Sequence, residues 1–161
     1  MTCITALKYG SDVFFACDSQ NTDSRIHYRS HPKWIEEKGV VVAVSGDSYV
    51  RTLIEVKCPF QGDVTRDNVM AFSITLRTTL PNDLNFTILI GGNSSLFRIT
   101  KDFEIIEVLE YDAIGSGQEV ALGSLYSTRI NINAGFRVED AVRAAIEWKA
   151  GVGGRVFNVK V

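Results

Sequence analysis

Thr2 combines two groups that rarely share a residue. Methionine ahead of a small residue is commonly trimmed, and removal of Met1 would leave Thr2 with a free α-amine next to its own hydroxyl. An unperturbed α-amine titrates at about 7.7 to 8.0, so near neutral pH it can take the hydroxyl proton without a histidine. Such a nucleophile needs three supports: a charge that tunes amine and hydroxyl, a carboxylate that orients that charge, and a donor for the oxyanion of a tetrahedral intermediate. Asp18, Lys33 and Gly46 are the candidates. A lysine cation near Thr2 would lower the pKa of the amine and favour the alkoxide, and Asp18 would hold that lysine charged and in place. Gly46, at a turn out of an apolar strand, offers a backbone N–H that a substrate could approach closely.

These residues are far apart in the chain, so secondary structure must gather them. Thr2–Leu7 and Val13–Asp18 flank Lys8-Tyr-Gly-Ser-Asp12 and read as a β-hairpin, which places Asp18 beside Thr2. Val13–Cys17 and Gly39–Val44 are apolar without alternation, as strands covered on both faces are. Between them, residues 19–31 read as a polar, irregular loop. Asp47 reads as the N-cap of a helix over Ser48–Lys57, and Val69, Phe72, Leu76 and Leu80 recur at helical spacing within Thr65–Leu80. Phe86–Ile90, Leu96–Thr100 and Glu104–Leu109 form a β-meander. A short strand from Tyr111 into Gly115-Ser-Gly117 leads to a helix ending near Thr128. A last helix is expected over Glu139–Trp148, before a terminal strand over Arg155–Val161. The order of strands, helices, strands, helices, strand gives an α+β fold: a four-layer αββα sandwich of two mainly antiparallel sheets, in one domain over residues 1–161.

Composition narrows the function. The chain of 161 residues is 45% hydrophobic and 22% charged, as a globular protein is, with a net charge of −2 and no clustered basic run. Nucleic acid and anionic membrane surfaces are therefore not expected partners. No apolar stretch approaches the roughly 18 residues of a membrane span and no signal-like segment opens the chain, so a cytoplasmic protein is expected. Cys3, Cys17 and Cys58 lack CxxC spacing and read as buried free thiols. His27 and His31 lie in the polar loop without matching ligands, so no metal and no cofactor are expected. Gly115-Ser-Gly117 reads as a packing turn rather than a phosphate loop, and Trp34 and Trp148 read as core or interface residues.

Met1-Thr2, Phe14-Phe-Ala-Cys-Asp18-Ser-Gln20, Lys33, Ser45-Gly46 and Ala113-Ile-Gly-Ser-Gly117 ahead of a helix together resemble the proteasome β-subunit superfamily, and within it the HslV branch. The resemblance spans nearly the whole chain in element order. It implies an N-terminal threonine peptidase in which Thr2 is nucleophile and base, Asp18 and Lys33 are the supporting pair, Ser116 completes the network around the amine and Gly46 supplies the oxyanion N–H. A polypeptide substrate would pair as an extended strand between Thr22 and Gly46–Ser48. Stacked hexameric homo-oligomeric rings with an inner chamber and an AAA+ unfoldase partner follow from the same likeness. Four positions depart from the family pattern: Lys33 falls one residue early, Asp47 replaces a second glycine, and Lys149 and Val152 stand where relatives often carry an aspartate and a serine. Two other readings use the same fold, a catalytically silent ring or scaffold protein and a small-molecule amidase of the same nucleophile class.

Overall fold

The computed structural model describes residues 2–22 and 26–161, with the side chains of Thr22 and His27 outside that description. Among the described residues the first hairpin joins β1 (Ile4–Tyr9) to β2 (Asp12–Asp18), with Ile4 opposite Cys17. Two elements from the distant C-terminal half complete its sheet. β10 (Tyr111–Ile114) pairs with β1 and β11 (Val156–Lys160) pairs with β2, both antiparallel, in the order β10-β1-β2-β11. The second sheet runs β5-β6-β7-β8-β9 in sequence order, from β5 (Trp34–Glu37) and β6 (Val40–Gly46) through β7 (Phe86–Gly92) and β8 (Ser95–Ile99) to β9 (Ile105–Glu107).

The inner faces of the two sheets meet in an apolar layer that includes Ile4, Phe15, Trp34, Val41, Leu89 and Ile114. Helices cover both outer faces. α1 (Ser48–Lys57) and α2 (Arg66–Thr79) bury Ile54, Val69, Phe72 and Leu76 against the five-stranded sheet. α3 (Gln118–Ser127) and α4 (Ala134–Trp148) lay Ala121, Leu125, Val138 and Ala141 on the four-stranded one. Strands sandwiched in this way have no solvent face, which is why β2 and β6 carry apolar runs instead of alternation. The result is the expected αββα sandwich.

Several local expectations change. The polar segment after β2 is not irregular throughout: β3 (Gln20–Thr22) and β4 (Ile26–Tyr28) form a two-stranded ribbon, with Gln20 opposite Tyr28 and Thr22 opposite Ile26. Its polar composition reflects its position outside the two main sheets. α4 begins at Ala134, five residues before the expected start, because Asn133 caps it by accepting from the Phe136 N–H at 2.9 Å. Asp47 stands at the N-cap position of α1 but does not cap it. Its carboxylate accepts instead from the Asn85 N–H at 2.8 Å, while its own N–H donates to the Asn85 carbonyl at 2.8 Å, closing the bend after β6. Trp34 is core, whereas Trp148 is 78% exposed at the end of α4.

Candidate active site around Thr2

Thr2 lies just before β1, at the end of the first sheet and facing the mouth between the layers. Its position is held by the backbone. The Gly117 N–H donates to the Thr2 carbonyl at 3.1 Å and the Ser116 hydroxyl donates to the same oxygen at 3.3 Å. The segment can come this close because of Gly115, whose φ of +95° lies in the left-handed region and where an added Cβ would collide with the Thr2 carbonyl.

The hairpin register brings Asp18 beside the chain start. The Asp18 N–H donates to the Cys3 carbonyl at 3.2 Å, and the side chain is fully buried. Its carboxylate is saturated with donors: Cys3 N–H at 2.8 Å and Lys33 Nζ at 2.6 Å on Oδ1, then Gln20 N–H at 3.2 Å and Gly153 N–H at 3.3 Å on Oδ2. A buried carboxylate must be paired and hydrogen-bonded in this way to remain ionised.

Lys33 is placed from both sides. Its N–H donates to the Cys17 sulfur at 3.4 Å and its carbonyl accepts from the Val44 N–H at 3.0 Å, which pins it between β2 and β6. From there Nζ, besides its ion pair with Asp18, donates to Thr2 Oγ1 at 3.1 Å. Burial pushes the Lys33 ammonium below its ordinary range, and the Asp18 charge opposes that fall. A cation held against the hydroxyl oxygen stabilises the alkoxide and lowers the cost of deprotonating Thr2. The Thr2 backbone nitrogen lies 3.2 Å from Ser116 Oγ. Met1 lies outside the described residues.

Gly46 ends β6 across from Thr2, with a φ of +106° and its α-carbon so close to the Asn85 carbonyl that a Cβ has no room. Thr2, Gly46 and Ser116 line one cleft of about 380 Å³, with Asn85, Thr87, Arg98 and Gln118 completing its walls. On the other side of Thr2, Ser48 opens α1 and borders a narrow recess of about 20 Å³ that also contains Lys33, Asn21, Arg29 and Arg51. Thr22 ends β3 one residue beyond Asn21.

Thr2, Asp18, Lys33, Ser116 and Gly46 therefore meet around one hydroxyl, from five separate segments. Sequence reasoning missed the backbone donors on Asp18, above all Gly153, and the two arginines of the recess. Lys149 is exposed and Val152 is buried in the helix-facing core. The loop they belong to still braces the site, through the Gly153 N–H on Asp18 instead of through side chains. A glycine pair after a helix is the one signal that hinted at it. Cys3, next to Thr2, points into the α3/α4 core, and burial, with the Asp18 charge adding to it, pushes its thiol up to about 12. Among the described residues no group of His, Cys, Asp and Glu is arranged to hold a metal, and no helix is long and apolar enough to cross a membrane.

This sandwich, with Thr2 at the mouth between the sheets, has the fold of proteasome-like proteins. Solved structures bear that out. The chain superposes on Thiobacillus denitrificans BPH with a TM-score of 0.80 at 19% identity, covering 99% of this chain and 97% of that one. The same bacterial protein in complex with epoxomicin gives 0.82 at 18% identity. HslV from Trypanosoma brucei gives 0.75 at 16% identity, with 98% of each chain covered. Anbu, an ancestral β-subunit from Yersinia bercovieri, gives 0.78 at 17% identity over 98% of this chain and 80% of that one. No protein-family model and no curated protein matches the sequence. At such identities the likeness is one of fold.

Proposed function

We propose that this protein is an N-terminal threonine peptidase that hydrolyses peptide bonds through an acyl-enzyme on Thr2. The observation that carries the reading is the hydrogen bond from Lys33 Nζ to Thr2 Oγ1, at 3.1 Å, with that ammonium paired to a fully buried Asp18 at 2.6 Å. A structural threonine has no use for a buried, ion-paired lysine aimed at its hydroxyl, because burying the pair costs several kcal/mol per ion before their attraction offsets it.

With Met1 removed, the chemistry balances on one residue. Thr2 Oγ1 attacks the peptide carbonyl as the Thr2 amine takes the hydroxyl proton. The tetrahedral oxyanion is met by the Gly46 backbone N–H, and the amine returns its proton to the departing peptide nitrogen, leaving an ester on Oγ1. Water then attacks the ester, the amine takes a proton from that water, and collapse returns the proton to Oγ1 and frees the acid. Ser116 Oγ orients the amine, and Lys33 supports the charge on Oγ1 throughout. The substrate runs extended between the end of β3 at Thr22 and Gly46–Ser48. By likeness of fold, the chain assembles with copies of itself into stacked rings whose chamber holds the sites, and an AAA+ unfoldase feeds it polypeptide.

The test is intact-protein mass spectrometry before and after exposure to epoxomicin, the epoxyketone bound by the Thiobacillus protein, with Thr2→Ala as control. A species lacking Met1 that gains one inhibitor mass, absent in the variant, is the expected result. Retained Met1 and no adduct would sink the peptidase reading and leave a silent ring or scaffold subunit in its place. Light scattering separates a ring peptidase from a small-molecule amidase, which would work as a small oligomer.

A further inference from the structure

The recess beside Thr2 carries more positive charge than the chemistry above requires. Arg29 and Arg51 both line it together with Thr2, Asn21, Val44 and Ser48. Lys33 is neutralised by Asp18 behind it. Asp47 also borders the recess, but its carboxylate is turned to the Asn85 N–H. Arg51 is held by its Nε, which donates to the Trp34 carbonyl at 3.2 Å, and its Nη1 makes a half-exposed ion pair with Glu55 at 3.6 Å, one turn along the same helix. Among the described residues no carboxylate lies within ion-pairing distance of the Arg29 side chain. Burial first, and then the neighbouring Arg51 charge, push the Arg29 guanidinium below its ordinary range, with the Asp18 charge opposing that fall.

Position decides what counterion the recess takes. The recess opens between Asn21, next to the end of β3, and Gly46–Ser48, the two edges along which the extended substrate is expected to lie. Side chains alternate along such a strand. The residue whose carbonyl reaches Thr2 Oγ1 and the Gly46 N–H turns its side chain either toward this recess or away from both edges. The recess holds only about 20 Å³ of free space, so a side chain enters it by displacing its flexible lining, and the chemistry of that lining rather than its volume sets the preference. A carboxylate suits it, because a planar acid takes two parallel bonds from a guanidinium and replaces solvent between two of them. The wider cleft on the Ser116 side makes no such demand, since its Arg98 is already paired with Asp112 at 3.3 Å.

Resting on the peptidase reading, we propose that Arg29 and Arg51 form a carboxylate-selective pocket, so that the protein cleaves after acidic residues, aspartate or glutamate, in preference to aromatic and aliphatic ones. The two arginines determine specificity and take no part in the proton transfers.

The experiment compares kcat/KM for matched peptidyl-coumarin amides that differ only in the residue before the scissile bond: Asp, Glu, Leu, Tyr and Lys. The assembled protein is used, and its Thr2 reactivity is checked in parallel with epoxomicin. Asp and Glu substrates are expected to exceed Leu and Tyr by roughly tenfold or more. Arg29→Gln and Arg51→Gln should each erode that ratio, and Arg29→Glu should shift preference toward the Lys substrate. The Arg29 variants leave the Trp34 contact of Arg51 in place, so they report on the pocket even if Arg51→Gln fails to fold. Hydrolysis that favours Leu or Tyr, or an acidic preference untouched by both arginine substitutions, would overturn the pocket while leaving the peptidase standing. Absence of both hydrolysis and adduct would overturn the peptidase reading, and the pocket with it.

Discussion

The two helical layers of this sandwich are built from different materials. Under α1 and α2 the core is bulky, with Phe72, Leu76, Phe86, Ile88 and Phe97 filling the space above the five-stranded sheet. Phe60 and Phe72 meet edge to face there at 5.4 Å. Under α3 and α4 it is richer in small residues, with Cys3, Ala16, Ala113, Ala121, Ala141 and Ala145 set among Leu7, Leu125, Val138 and Val142. Large side chains contribute more buried apolar area, and small ones let backbones approach. The bulky side stabilises, and the small side positions. The close approach of the turn ahead of α3 puts Ser116 and the Gly117 N–H on Thr2, and the end of α4 delivers Gly153 to Asp18. The Lys33 ammonium comes from the segment that leads into the other sheet, so the candidate site is the place where a tightly packed half meets a bulky one.

The sharpest way to break this contrast is Asp18→Ala. It removes the counterion of buried Lys33 and leaves the N–H groups of Cys3 and Gly153 without their Asp18 acceptor, while the Gln20 N–H keeps the Gly153 carbonyl at 3.0 Å. A loss of about 3–5 kcal/mol is expected from the ion pair. Urea unfolding should read that loss, and epoxomicin adduct formation should vanish in whatever fraction stays folded. Phe72→Ala on the bulky side should cost a comparable 3–5 kcal/mol, approximately, by leaving a cavity. Its signature differs: the folded fraction should form adduct at the rate of the unaltered protein. Equal damage to Thr2 reactivity from both substitutions would erase the division of labour.

A milder probe is Gly117→Ala. The added Cβ would sit 2.8 Å from Cys3 Cβ and 3.0 Å from Ala145 Cβ, overpacking the small side by about 1–3 kcal/mol. Because the Gly117 N–H holds the Thr2 carbonyl, the adduct rate should fall further than the stability change alone explains. Parallel declines would show that the small side merely packs.

The smallest effect concerns the thiols. Burial raises Cys3 and Cys17 from an ordinary 9.0 to about 12. Both should resist alkylation in the native state at pH 8 and react fully in urea, as counted by mass. The unfolded thiols ionise from pH 9 upward while the folded ones stay protonated. The stability they confer is therefore complete below pH 9 and lost as pH rises toward 12. Cys3→Ala and Cys17→Ala should flatten that alkaline decline, and an unchanged slope would place these thiols in a more polar setting.

Much of this molecule is legible in the chain itself. Apolar runs without alternation at Val13–Cys17 and Val40–Val44 foretell strands covered on both faces, and helical spacing from Val69 to Leu76 foretells α2. Such patterns are local, set by which face of an element is buried. The order of Thr2, Asp18, Lys33, Ser45-Gly46 and Gly115-Ser116-Gly117 likewise names residues that the fold gathers around Thr2. The tertiary structure decided what depends on contacts between distant segments. Only pairing across the sheet shows that β10 and β11 flank the first hairpin. The cap on α4, the diversion of Asp47 to Asn85 and the ribbon of β3 and β4 are competitions among hydrogen-bond partners that no periodicity encodes. The Gly153 N–H on Asp18 and the meeting of Arg29 with Arg51 are of the same kind. A backbone donor looks alike at every position of a sequence, and two guanidiniums become a pocket only when folding brings them to the same wall.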